Sequence, residues 1–528
     1  MSVRSRLTKA QNATPCEHGR LMLSSSPHDS TIGFVRPPVT KRIAARMPSG
    51  RTVAATDITS ASDSTKPSYE PPDTSFPAPL VLPGDDLALD PKYPPQTLRM
   101  WARDSNRNPI TPLRKTVYVT SPPVLSADVD FMRAWTMPNT KSLGKAKHDL
   151  LARLPAELNM TIVQHYLEAF FHPLPVKLLG PPLSFTSWEQ RKKPAKPSHT
   201  RVDIAILTPP STLTKINHRS RPNSFLFTNQ LSMSDLIDAL MTSIPSDAHS
   251  ITMLTQHDMY EDEDDEFICG RAYGGDRVAV VSSARYVVPP GMEDDGDSDG
   301  DEAGHQWPAS HCWDFVKRKC ANGNDEDEDV ERTRKKRKTV VNKASDPFKS
   351  TNLIDVATNL SAPLPRALSV FLQPPPESMN AHATSSTYAA SFHFRVIRTL
   401  THEILHTFGL DHCVYYACLM QGTASLGEDG RIPPYLCPVC SEKLWRAVKA
   451  VITDGADGAP NSVTLNPRNG KKHPQEKGIL EDKLRHDWMV ERYRRMKAVC
   501  EQNRSRELGC QWRAFAGWLE GRLEELIQ

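Results

Sequence analysis

The chain has 528 residues, a formal net charge of +3, 38% hydrophobic residues and 45 prolines, with a mean hydropathy of -0.49. Near-balanced charge excludes a global drive towards nucleic acid or anionic membrane, and no run approaches the ~18 apolar residues that a bilayer span needs. A proline content well above the ~5% of an average protein predicts one globular domain interrupted by disordered insertions.

The start, Met1 to Pro27, lacks the continuous apolar core of a secretory leader, and Met1 to Thr97 is rich in Ser, Pro, Thr and charge with no sustained period. Residues 1–97 are therefore expected to be mostly disordered or loosely docked. A β-branched and aromatic run at Thr116–Thr120 ends at a Ser-Pro-Pro turn and reads as a strand. Apolar residues at helical spacing predict a helix over Leu154–Phe171, stopped before Pro173, and Val176–Leu179 a short strand. The basic, Pro-rich stretch Pro181–Arg201 reads as a loop or insertion. A second helix is expected over Ser232–Met241, with Ser232 or Ser234 as cap. Three strands follow, Ile251–Leu254, Phe267–Tyr273 and Val278–Tyr286, the last two joined by Gly274-Gly275-Asp276 as a hairpin. Strands alternating with helices imply an α/β layer.

Like-charge blocks at Asp294–Glu302, Asp325–Glu331 and Arg332–Lys338 mark an exposed, disordered insertion over residues 291–350, with Trp307–Phe315 as an ordered island in it. A helix is expected over Tyr388–Phe408. Residues 451–479 read as a linker and 480–528 as a helical tail. The stripe Trp512, Phe515, Trp518, Leu519, Leu523, Ile527 would pack on the tail's own domain or dock a partner.

The chemistry concentrates in Thr401-His402-Glu403-Ile404-Leu405-His406-Thr407-Phe408-Gly409-Leu410-Asp411-His412. One helical turn separates His402 from His406, so both imidazoles can meet one metal ion, with Glu403 beside it. Gly409 tolerates the positive φ of a sharp turn, which lets His412 become the third ligand. His is 18 and Gly 25 of 528 residues, so fixing this glycine and this histidine makes a chance match roughly 600-fold rarer than the short motif alone. Three neutral nitrogen ligands leave a fourth position for water, and peptide hydrolysis with Glu403 as general base is the reaction that such a centre serves best.

Cys413 and Cys418, followed by Cys437 and Cys440, form a Cys-x4-Cys and a Cys-x2-Cys pair. The four thiolates fit a closed, structural zinc site, the alternative being buried or redox cysteines. The chain holds ten cysteines, and this local clustering favours a reducing compartment over a disulfide framework.

The run His402-Glu403-x-x-His406-x-x-Gly409-x-x-His412-Cys413-x4-Cys418-x-Met420, followed by Cys437-x-x-Cys440, resembles the archaemetzincins, also called archaelysins. The interval from Met420 to Cys437 is one residue shorter than in the family's pattern, a loop difference. Gln421–Leu426 and Val278–Tyr286 look similar to eukaryotic, fungal members. The resemblance covers roughly Thr116 to Val448 outside the charged insertion. It implies an α/β (α+β) metzincin-like catalytic domain over residues 98–450, with a mixed, mostly parallel five-stranded sheet, an active-site helix and a four-cysteine zinc loop. It implies two zinc ions per chain, Met420 as the Met-turn residue under the catalytic one, and a peptide or protein substrate extended along an edge strand. Phe267–Tyr273 is the expected edge, with Phe267, Cys269, Arg271 and Tyr273 along it.

Two other readings compete with this one. A zinc-stabilised scaffold without peptidase activity would make Glu403 dispensable. A nucleic-acid role for the basic cluster lacks a recognition fold, so no nucleic-acid partner is expected. The acidic run Glu261–Glu266 either selects basic substrates or is a solvated loop. Lys317–Lys319 with Arg332–Lys338 either forms a two-part nuclear localisation signal or is a solvated charge run. A monomer in the cytoplasm and/or nucleus is the expectation.

Overall fold

A computed structural model of the protein describes residues 16–52, 69–139, 157–188, 203–288, 303–321, 352–373, 381–456, 474–504 and 510–527. Two runs, Ala248–Thr255 and Val278–Ser282, are buried at every position. Strands of that kind need cover on both faces, as in the interior of an α/β sheet. They form the middle of a five-stranded sheet in the order Gly270–Tyr273, Val278–Ser282, Ala248–Thr255, Thr116–Val119, Val176–Leu178. Only the first pair is antiparallel; the other three pairs are parallel.

Side chains alternate between two cores, as the pleat requires. Leu254 and Val281 share one core with Ile397, Leu400 and Ile404 of the helix Ala381–Thr407. Ile251, Met253, Val278 and Val280 share the other with Leu236, Ile237 and Leu240 of the helix Met233–Met241. That second helix is capped by Ser232, whose hydroxyl accepts from the Asp235 amide. A further four-stranded sheet, ordered Val124–Leu125, Ser184–Ser187, Ile204–Thr208, Thr212–Ile216, closes the second core.

Several boundaries differ from the sequence reading. The first long helix begins at Met160 because the Asn159 side chain accepts from the Thr161 and Ile162 amides, and it ends at Phe170. Residues 140–156, where it was expected to start, lie outside the described residues. Ser184–Ser187 is a strand within the expected Pro181–Arg201 loop, while 189–202 lie outside the described residues. Val278–Tyr286 is a strand only to Ser282; it then turns through a 3-10 segment, Ala284–Val287.

The largest correction concerns residues 1–97. Residues 16–52 and 69–97 are packed, with Leu21, Met22, Ile43, Phe76, Ala78 and Val81 among the buried side chains. Arg20–Met22 pairs antiparallel with Leu353–Asp355. The Trp101 indole N–H donates to the Phe408 carbonyl at 2.9 Å, which ties the segment just beyond to the end of the helix Ala381–Thr407. The expected island in the charged insertion is folded over 303–321, with Trp307 and Phe315 buried; Arg332–Lys338 and both acidic blocks lie outside the described residues. Part of the expected linker is helical: Pro438–Ala456 runs into it and the next helix begins at Pro474. The C-terminal helices pack on the main core through Trp488, Trp512, Phe515 and Trp518. The Trp518 indole N–H donates to the Ser75 carbonyl and that of Trp512 to the Ala390 carbonyl. No helix among the described residues is long and apolar enough to cross a membrane.

Two histidines in this scaffold predict an acid limb of stability. Burial, followed by Arg277, Arg114 and Arg107, holds His249 down to about 3, and its ring meets Phe408 edge-on at 4.3 Å. Burial holds His257 down to about 4, against the hydrogen bond to the Met132 carbonyl. Both folded values lie below the ~6.5 of a free imidazole, so the unfolded chain takes up protons first. Stability is then fully present above pH ~6.5 and falls as pH drops towards 4, by roughly 1.4 kcal/mol per pH unit for each histidine. His249→Phe is expected to remove one such contribution from chemical unfolding curves measured between pH 6 and 4.5. An unchanged slope would sink the assignment.

Candidate active site

The helix Ala381–Thr407 ends at the motif, and its ending can be followed bond by bond. The Gly409 amide donates to the His406 carbonyl at 2.9 Å and the Leu410 amide to the Leu405 carbonyl at 3.2 Å, with Gly409 at φ +80°. This is a Schellman ending, which satisfies the last carbonyls and reverses the chain. The reversal carries His412 back towards His402 and His406. One ligand nitrogen from each of the three histidines lies within 4.8 Å of the others.

The imidazoles are oriented from behind. His402 Nδ1 lies 2.7 Å from the Leu419 carbonyl and His406 Nδ1 lies 2.7 Å from the Leu410 carbonyl. A carbonyl only accepts, so each Nδ1 carries the proton and each Nε2 presents a lone pair. Those two Nε2 atoms face each other at 3.0 Å, an arrangement that a cation between them stabilises and that neutral imidazoles alone do not. Burial, then the neighbouring imidazole, holds His402 down to about 3 and His406 and His412 down to about 4. All three are neutral at neutral pH, and their nitrogens form a donor set that fits a zinc ion.

Glu403 is buried beside them, and burial pushes its carboxyl up to about 8 against the pull of Arg271. It packs on the edge strand at Gly270, where a Cβ would come within 2.8 Å of Glu403 Cγ and 2.9 Å of Oε1. Glycine is required there for the strand and the carboxylate to approach so closely. Gly270→Ala is therefore expected to displace Glu403 and lower kcat on the order of 10²-fold, the cost of a shift of about 1 Å in a catalytic group. Steady-state kinetics at unchanged zinc content would check it, and a wild-type kcat would refute it.

Cys413, Cys418, Cys437 and Cys440 bring their sulfurs within 4.8 Å of one another, all buried. Cys418 Sγ accepts from the Cys437 amide at 3.2 Å and the Met420 amide at 3.5 Å. Met420 is fully buried, and its carbonyl accepts from the Cys413 amide at 2.6 Å. The turn at Met420 thus joins the two clusters, since the adjacent Leu419 carbonyl is the one that orients His402.

Residues 385–446, which run from within the helix through both clusters, match Peptidase family M54. Archaemetzincin-2 of Macaca fascicularis is 24% identical over 382 residues, covering 69% of this chain and 79% of that one. Archaemetzincin-2 of Homo sapiens is 25% identical over 349 residues, covering 64% and 70%. The chain is thus similar to archaemetzincins well beyond the residues matched by the family model. It is accordingly a zinc metallopeptidase acting on peptide or protein substrates. Over 55 residues it is 47% identical to the archaemetzincin of Methanopyrus kandleri, 10% of this chain and 31% of that one. The crystal structure of the M. kandleri protein aligns with a TM-score of 0.26 at 15% identity, over 64% of this chain and 97% of that one.

The turn that carries His412 is held by residues of the segment 1–97, expected from sequence to be loosely docked. The Tyr93 hydroxyl donates to Asp411 Oδ1 at 2.5 Å, and the same oxygen accepts from the His412 amide at 2.8 Å. Gln96 donates to the Gly409 carbonyl at 3.0 Å and accepts from the Asp411 amide at 3.1 Å. A Cβ on Gly422 would fall against Asp86 Oδ2 and 2.9 Å from His412 Nδ1, so Asp86 and His412 meet across that glycine. Their only sequence signal was side-chain type, with no spacing to join them to the motif.

The expected edge residues divide. Gly270–Tyr273 is the outermost strand of the central sheet and borders an open cleft of about 780 Å³ that includes Glu403 and the three histidines. Phe267 and Cys269 precede the strand, though both line the cleft. Phe267 lies under the Arg285 guanidinium, 4.0 Å from its ring centroid, and burial pushes the Cys269 thiol up to about 12. Arg271 pairs with Glu261 at 3.1 Å, while Tyr273 packs into the second core. The Cys269 carbonyl accepts from the Ser282 amide at 2.8 Å. With alternation along an antiparallel pair, Gly270 and Ala272, rather than the four residues expected, turn their N–H and C=O groups outward.

Proposed function

We propose that this protein cleaves peptide bonds with His402, His406 and His412 holding the catalytic zinc and Glu403 as general base. Cys413, Cys418, Cys437 and Cys440 hold a second, structural zinc, giving two ions per chain at these sites. The observation that carries the reading is the pair of Nε2 lone pairs facing each other at 3.0 Å, with both Nδ1 protons committed to carbonyls. When bound, zinc lowers the pKa of a coordinated water to about 7 and polarises the scissile carbonyl.

The chain's own residues supply the rest. The charge of a bound zinc would offset the burial that pushes the Glu403 carboxyl up and hold it as the carboxylate, which takes the proton of the attacking water and delivers it to the departing amine nitrogen. The Leu419 and Leu410 carbonyls keep His402 and His406 in the ligating tautomer. Gly270 and Ala272 bond the substrate backbone as an added antiparallel strand. Asp264, Asp265 and Glu266 line the same cleft and favour substrates with basic side chains.

Peptide-library cleavage before chelation, after it and after zinc is restored tests the reading, together with zinc analysis of the protein as purified. Loss and recovery of cleavage are expected, whereas cleavage that survives complete zinc removal would overturn it. Ala272→Pro, which removes an outward N–H, is expected to raise KM about tenfold, the equivalent of about 1.4 kcal/mol for one hydrogen bond. An unchanged KM would exclude this strand as the substrate edge. The protein acts as a monomer in the cytoplasm and/or nucleus, and deletion of residues 332–338 with no change in its distribution would remove the nuclear part.

A further inference from the structure

A third group of metal-ligating side chains lies outside both clusters already described. Cys16 and His18 precede the strand Arg20–Met22, while His305 and Cys312 belong to the folded island 303–321. One ligand atom from each of the four lies within 4.8 Å of the others. Cys312 and His305 are buried and Cys16 and His18 half-buried. The two sulfurs are 2.7 Å apart, and the two imidazole rings have their centroids 4.9 Å apart.

The scaffold around the four holds them in place. His305 is stacked on Phe315 at 4.2 Å, with ring planes 7° apart. Leu21 bridges to Cys312, and the Met22 carbonyl faces His311 Nδ1 at 3.0 Å. Those contacts lay the N-terminal strand across the island. His18 takes a φ of +51°, a backbone state that a non-glycine residue enters at a cost of order 1–3 kcal/mol when its surroundings enforce it.

We propose that Cys16, His18, His305 and Cys312 bind a zinc ion of their own, a closed structural site that clamps the N-terminal strand to the island 303–321. Two thiolates and two imidazoles are the ligand set of a closed tetrahedral zinc site, with no position left for water. Zn–S bonds of about 2.3 Å in a tetrahedron set two sulfurs about 3.8 Å apart, so binding parts the two thiols slightly. The gain is large because the partners are remote in sequence: Cys16 and Cys312 are 296 residues apart, and closing so long a loop by a metal constrains the unfolded chain strongly. Beyond the clamp the N-terminal layer has its own ties to the peptidase centre. The Ala78 amide donates to the Leu23 carbonyl at 2.9 Å, Asp85 pairs with Arg431 at 2.6 Å, and the same segment continues to Asp86, Tyr93 and Gln96 beside His412.

The test is zinc per chain in the full-length protein, purified in reductant and dialysed, for wild type, Cys16→Ser/His18→Asn and Cys320→Ser. Asparagine tolerates the positive φ at position 18 and so spares the fold. Cys320 is a buried thiol of the same apolar cluster as Cys312, outside the four ligands. The double variant is expected to hold one zinc fewer than wild type while retaining peptidase activity, and Cys320→Ser to match wild type. Because the readout is a difference, it stands whether or not the other two sites are filled as proposed. Equal zinc in the double variant, an equal loss in Cys320→Ser, or a Cys16–Cys312 disulfide in the wild-type peptide map would each overturn the site.

Discussion

Glu403→Gln is expected to keep the fold and the full zinc content while lowering kcat/KM by about 10²–10⁴-fold, the range for removing a general acid–base group. That loss corresponds to about 2.7–5.5 kcal/mol of transition-state stabilisation. The amide is close to isosteric with the carboxyl, so the contact with Gly270 survives, and Glu403 is outside the group of three histidines that converge. What disappears is an oxygen able to accept and return a proton. Peptide cleavage, zinc analysis and thermal unfolding on the same preparation separate the outcomes. A protein retained only as a zinc-stabilised scaffold would cleave nothing in either form, and equal, measurable cleavage by both forms would show that Glu403 is not the base.

The peptidase motif was legible because its information is local. His402 and His406 stand one helical turn apart, and Gly409 announces the reversal that brings in His412. The four cysteines were legible for the same reason, as two short-range pairs. The central sheet was partly legible, since Ala248–Thr255 and Val278–Ser282 are continuous apolar or β-branched runs. Polar strands such as His218–Ser220 and Asn229–Ser232 carry no alternation, and only their partners make them strands. Residues 69–97 were misread because Pro-rich segments pack without a helical or strand period. Tyr93 reaches Asp411 across 318 positions of sequence, and no spacing rule connects them. Gly270 was equally silent, because its role is the room that it leaves for Glu403. Cys16 and His18 stand in the same class: their partners lie far along the chain.

The contrasting prediction is for Cys418→Ala, which is expected to lose one zinc, lower Tm by about 10–20 °C and abolish cleavage. Structural zinc sites bind with apparent free energies of about 10–16 kcal/mol, much of which is folding free energy. Removing one of four thiolates costs only part of that. A loss of about 5 kcal/mol spread over a core of this size shifts Tm by about 2–4 °C per kcal/mol. Local bonding adds to the effect, because Cys418 Sγ accepts from the amides of Met420 and Cys437 and all three residues are buried. Alanine leaves those two donors without their acceptor in an apolar setting, a further cost of about 1–3 kcal/mol for an unpaired buried group. The damage reaches the chemistry through one residue: Leu419 stands between Cys418 and Met420, and its carbonyl fixes the His402 tautomer. Loss of activity in Cys418→Ala is therefore accompanied by loss of stability, whereas in Glu403→Gln it is not. Scanning calorimetry with zinc analysis distinguishes the two patterns. A Cys418→Ala protein with wild-type Tm and zinc content would show that these four cysteines hold no metal.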